Sequence, residues 1–183
     1  MAQTLLEAWN APAECAELSI DVEAMEVQNG KIDGPIMKNG EGVSFEWITP
    51  LPMPIDPAWD KQMIDIALMR KKLNQYRIRV TGLPEGRCRL LADGKQIAEV
   101  THKQFERGLD LLDYPEFPTV LEAAKVMELV KERHDILYRN WRATIDDNRQ
   151  PDPEAQEKAD RLRSEIRERC KPRAVTIKIL WSL

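Results

Sequence analysis

Arg87-Cys88-Arg89-Leu90-Leu91-Ala92, then Asp93-Gly94, then Lys95-Gln96-Ile97-Ala98-Glu99-Val100 is the stretch on which the fold class turns. Two runs that alternate apolar and polar residues flank an Asp-Gly pair. That dipeptide accepts the positive φ angles of a tight hairpin turn, so the stretch predicts two antiparallel strands. Upstream, Leu83-Pro84-Glu85-Gly86 reads as a turn and Arg77–Val80 as a further strand. Between Cys15 and Trp47, Leu18, Ile20, Val22, Met25 and Val27 alternate with polar residues, and Val43-Ser44-Phe45-Glu46-Trp47 does so again. Asn29-Gly30 and Asn39-Gly40 supply turns, which predicts three strands here, antiparallel to one another.

Helical patterns surround these strands. Pro50, Pro52, Pro54 and Pro57 stiffen an extended segment, after which Asp56 as cap and Pro57 as first residue open a helix to about Tyr76. Trp59, Met63, Ile66 and Leu73 fall on one side of it. Thr119 and Glu122 have capping-box spacing, and Val120, Ala124, Met127, Val130, His134, Leu137 and Trp141 step by three and four along a long helix. Asp152-Pro153 starts a second, strongly charged helix that ends near Cys170, and Val175–Leu180 alternates as a last strand. Residues 1–10, with Leu5, Leu6 and Trp9, read as a short helix stopped by Pro12. The predicted class is α+β: a small antiparallel β-sandwich-like sheet with flanking helices and a long C-terminal helical hairpin.

Composition narrows the chemistry. Among 183 residues, 43% are hydrophobic and 32% charged, which is the mix of a folded domain. The 27 basic and 31 acidic side chains leave a net charge of −4, which argues against a nucleic-acid partner. No apolar run reaches the ~18 residues of a membrane helix, so no membrane insertion is expected. The dispersed Cys15, Cys88 and Cys170 give neither a disulfide framework nor zinc spacing. Asp21/Glu23 and Asp146/Asp147 read as solvated charges, so neither a metal site nor a cofactor is predicted.

Nucleophilic catalysis would have to draw on Ser19, Ser44, Ser164 and Ser182 with His102 or His134. None of the serines lies in Gly-x-Ser-x-Gly or Gly-Asp-Ser, and neither histidine has a serine or cysteine nearby in sequence. His102 reads as a turn or helix-start residue, His134 as a packing or interface histidine. No catalytic residue is assigned. Trp47 and Trp59, which bracket the proline segment, and Trp9 are the candidates for a binding or interdomain surface. An alternative use for Trp47 and Trp59 is to anchor a helix on a sheet.

Several stretches, taken in order, resemble the C-terminal region of the bacterial GDSL-type (SGNH) esterase family, in its long-tailed, planctomycete-like branch. They are Leu5 to Pro12, Phe45-Glu46-Trp47 with Leu51 to Asp56, Asn74-Gln75-Tyr76 running into Val80 to Arg87 and Asp93-Gly94-Lys95, and Asn140-Trp141-Arg142. The resemblance implies a remnant of the hydrolase domain's closing helix at 1–12. A β-rich accessory domain follows at 13–113 with an inserted helix at 57–76, then a helical hairpin plus terminal strand at 114–183. It further implies that the Gly-Asp-Ser nucleophile block, the oxyanion-hole glycine and asparagine, and the Asp-x-x-His base belong to a part that precedes this one. Glu99-Val100-Thr101-His102 does not match that last block.

The expected role is then a non-catalytic accessory region of a serine-dependent ester hydrolase, its partner the catalytic SGNH domain. The alternative is a free-standing carbohydrate-binding or protein-interaction module; a complete enzyme using His102 or His134 is the third reading. Members of the family are usually exported, whereas Met1 to Trp9 shows no basic start or long apolar core of a signal peptide, so the sequence assigns no location.

Overall fold

A computed structural model describes residues 8–56, 58–66, 68–147 and 149–181. The expectations placed on Leu5, Leu6, Pro57, Ser182 and the side chain of Leu73 lie outside the described residues. The architecture is α+β, with two sheets whose inner faces share one core.

The first sheet has the order β2-β1-β5-β8, with β1 at Glu14–Asp21, β2 at Glu26–Asn29, β5 at Gln75–Thr81 and β8 at Leu109–Asp110. The second has the order β3-β4-β9-β6-β7, with β3 at Ile32–Asn39, β4 at Gly42–Thr49, β6 at Arg87–Ala92, β7 at Lys95–Thr101 and β9 at Arg173–Trp181. The Asp93-Gly94 hairpin forms as expected, with φ of 49° and 80° at the two turn residues and Ala92 opposite Lys95. Inward positions alternate with outward ones: Val43, Phe45 and Trp47 on β4, Cys88, Leu90 and Ala92 on β6, Val175, Ile177 and Ile179 on β9 are all buried.

Three expectations are corrected. The region from Cys15 to Trp47 holds four strands rather than three, divided between the two sheets, and β1 pairs with β5 in parallel. Gly30 makes the crossing from one sheet to the other: at φ 89° an added Cβ would lie 2.7 Å from the Glu17 carbonyl oxygen, so the chain can pass only with no side chain there. The single helix over 57–76 is instead two short ones, α1 at Lys61–Ile66 and α2 at Met69–Leu73. Leu68, in the left-handed region at φ 51°, separates them. Finally, 114–183 does not fold apart from 13–113. β9 lies between β4 and β6, from Gly42↔Leu180 to Thr49↔Arg173 on one side and from Cys88↔Trp181 to Ala92↔Ile177 on the other.

α3, at His102–Arg107, opens with Thr101 and Gln104 in a capping box and buries Phe105. The long helix α4 spans Pro118–Asp146 and starts two residues earlier than the Thr119 cap predicted, with Phe117 as N-cap and Pro118 as first residue. Proline costs nothing at that position because its missing N–H would have no partner within the helix anyway. α5, at Pro153–Arg169, is capped by Asp152, whose Oδ1 accepts from the Glu154 N–H at 2.9 Å. The two form the expected hairpin, fastened by Asn140 to both backbone groups of Asp152, by Arg133 to the Ala159 carbonyl and by Arg169 to Glu122.

Candidate functional site

Of the three candidate tryptophans, Trp47 is corrected first. It is 1% exposed and belongs to the core, so it offers nothing to a partner. Its position on β4 points inward, where it stacks on Tyr76 at 5.4 Å between ring centroids, with Phe117 tilted against both. The anchoring alternative therefore holds for Trp47, which packs where α4 begins. Trp59 and Trp9 are exposed, at 46% and 69%. Trp9 lies just before β1, and α2 just before β5. Because β1 and β5 run parallel from Glu14↔Gln75 onward, both segments reach the same end of the first sheet.

At that end the aromatic cluster carries a buried polar knot. The Tyr76 hydroxyl lies 2.9 Å from the Thr49 hydroxyl and 2.7 Å from that of Thr119, which ties β5 to β4 and to the first turn of α4. Burial pushes the phenol's pKa up to about 12, so it stays a neutral donor and acceptor at physiological pH. Asn74, also buried, exchanges both hydrogen bonds with the Met53 backbone and holds the proline segment in place. Asp56 follows that segment and bonds Lys131 of α4 at 3.0 Å. The Ala58 N–H and then Lys131 keep the Asp56 carboxyl below its usual range.

Four of the candidate bases and nucleophiles have other commitments, while Ser44 lies on β4 beside an open groove. His102 accepts the Gly86 N–H on Nδ1 at 3.0 Å, bracing the turn before the hairpin. His134 is exposed and stacks on Tyr138, one turn along α4. Ser19 donates to the Gln28 side chain, and Ser164 to the Asp160 carbonyl. Burial raises the thiol pKa of Cys15 and of Cys88, which suits inert packing rather than a reactive thiolate. Among the described residues, no hydrogen bond joins a histidine to a serine or cysteine, and no three His, Cys, Asp or Glu gather as a metal site would need. No helix of the described residues is long and apolar enough to cross a membrane.

Open grooves occur among the described residues. One, of about 400 Å³, lies over β3 and β4 between Asp33, Met37, Ser44 and Glu46. Another, of about 340 Å³, sits at the tip of the helical hairpin between Arg139, Asn140, Arg149 and Asp152. Both are shallow and polar-edged, unlike an enclosed small-molecule pocket. The sequence reading missed a different feature. The apolar stripe along α4 is buried only at Thr119, Ala123 and Val126, and beyond these Val130, Tyr138, Trp141 and Ile145 face outward. Its length gave the signal: a stripe carried through more than six turns outruns the small sheet it packs on.

No protein-family model and no curated protein matches the chain. Among solved structures, a gut microbial diltiazem-metabolizing enzyme is similar over 100% of this chain, with a TM-score of 0.83 and 21% identity. The likeness takes in 53% of that enzyme, so the chain spans about half its length. At that identity what is shared is the fold.

Proposed function

We propose that this chain is a non-catalytic accessory region of a GDSL/SGNH-type ester hydrolase, packing against its catalytic domain and orienting it. The observation that carries the reading is the whole-chain likeness to about half of a drug-metabolizing enzyme, which leaves the other half of that enzyme for whatever else it contains. The side chains of this half support it. His102 and His134 are engaged with a turn amide and a tyrosine ring, and Ser19 and Ser164 spend their hydroxyls on neighbouring groups. Acyl transfer needs a serine within about 3 Å of a base and facing oxyanion donors.

A fluorophosphonate probe tests the reading directly. Residues 1–183 should remain unlabelled. A genomic reading frame carrying Gly-Asp-Ser and Asp-x-x-His ahead of them should be labelled at that upstream serine. Stoichiometric labelling of a serine within these residues would overturn the proposal. The interaction-module alternative rests on the exposure of Trp59 and Trp9. It requires a glycan or protein ligand whose affinity falls about tenfold in Trp59→Ala, and a glycan-array screen that returns no ligand removes its carbohydrate form.

A further inference from the structure

The outward half of α4 carries a pattern that reads the same from either end. Val130, His134, Leu137, Tyr138, Trp141 and Ile145 form one stripe, and its four largest exposed apolar members are each between 47% and 58% exposed. Turned end for end about Leu137–Tyr138, the stripe lays Val130 over Ile145 and His134 over Trp141. Beside it runs a row of charges, Lys131, Asp135, Arg139, Arg142 and Asp146, with Arg139 at its centre and opposite signs toward its two ends. The same reversal, within two residues, sets Lys131 against Asp146 and Asp135 against Arg142. α5 lies along the opposite flank, held by Arg133, Asn140 and Glu122, so it leaves the stripe uncovered.

We infer that this face pairs with a second copy of the chain, the two α4 helices running antiparallel so that their hairpins make a four-helix bundle. A two-fold interface needs a self-complementary surface, and an antiparallel pair meets like flank with like flank. Both conditions are met by a palindromic stripe bordered by a row of charges whose outer four members, Lys131, Asp135, Arg142 and Asp146, complement one another when reversed. In a parallel pair the charge row would instead meet the flank that α5 occupies, and its members would not face one another. Within one chain Lys131 already bonds Asp56 and Glu128, and Arg142 bonds Asp146 one turn on. Across the pair, Lys131 and Arg142 each gain one further acid. This inference does not depend on the hydrolase reading.

Sedimentation velocity on the whole chain, from about 1 to 100 μM, tests it in the range where so small an interface dissociates. The expected result is a monomer–dimer equilibrium. Trp141→Glu, at an exposed position, should keep its helical circular dichroism and weaken pairing about tenfold or more. Asp135→Arg and Arg142→Asp should each weaken pairing alone, by about threefold to tenfold. Mixed in equal amounts the two should pair again, because only the mixed dimer restores two opposite-charge contacts. A monomer throughout the range, a dimer indifferent to Trp141→Glu, or a mixture that stays apart overturns the inference. So does a monomer that binds a separate catalytic domain through this same stripe, which would give the face to another occupant.

Discussion

Tyr76 shows how one side chain can serve both the core and the polar accounting. Its ring packs between Trp47 and Phe117 while its hydroxyl closes a bridge between Thr49 and Thr119. Tyr76→Phe keeps the ring but takes the Thr119 hydroxyl's partner and leaves Thr49 only the Pro50 carbonyl, so we expect a loss of about 1–3 kcal/mol in the free energy of denaturant unfolding. Trp47→Ala is expected to be costlier, by about 3–5 kcal/mol, because it opens a cavity at the junction of two sheets and a helix. Any binding defect in that variant would report on folding, which thermal melting detects. At this scale the sequence was legible where alternation alone decides orientation, as for Cys88 and Phe45. At Trp47 it left two uses open, a surface groove and the anchoring of a helix, and burial decides for the second. It misled at Thr119, whose hydroxyl answers to Tyr76, a residue 43 positions away, rather than to its own helix.

Charged contacts join the two helices of the hairpin to each other and help join the hairpin to the rest. Arg169 reaches Glu122 at 2.7 Å, and Lys131 reaches Asp56 at 3.0 Å. The Arg169 bond holds the Glu122 carboxyl below the usual glutamate range, as the Ala58 amide and Lys131 hold that of Asp56. An acid whose pKa is lower in the folded state contributes stability above its unfolded value, near 4, and loses it as pH falls through the folded value. Asp110 has the opposite sign, since burial raises its carboxyl and a fall in pH favours its folded form. We therefore expect the amides of α5 to exchange with solvent faster between about pH 5 and pH 3, ahead of those in β6 and β9. Glu122→Gln should flatten part of that change. The existence and type of both long helices were readable from their three-and-four spacing and from the Asp152-Pro153 start. The break at Leu68 was not, since a non-glycine residue in the left-handed region has no local signature.

Across the whole molecule the decisive element is β9. It was legible as a strand from its alternation, but its place was not, because periodicity says nothing about which edges a strand will join. It occupies the middle of the larger sheet, bonded on both sides and with Val175, Ile177 and Ile179 fully buried. A chain that stops after Lys171 is thus expected to lose cooperative thermal unfolding altogether, even though it retains every strand of the smaller sheet. Scanning calorimetry would show this as an absent transition. The long helices come between β9 and its partners, so Val43 waits for Ile179 across most of the polypeptide. During synthesis β4 and β6 leave the ribosome with their facing edges bare, and the last strand arrives only after the hairpin has been made. Yield in the cell should therefore respond to the pace of translation and to chaperone supply more than to the stability of the finished molecule.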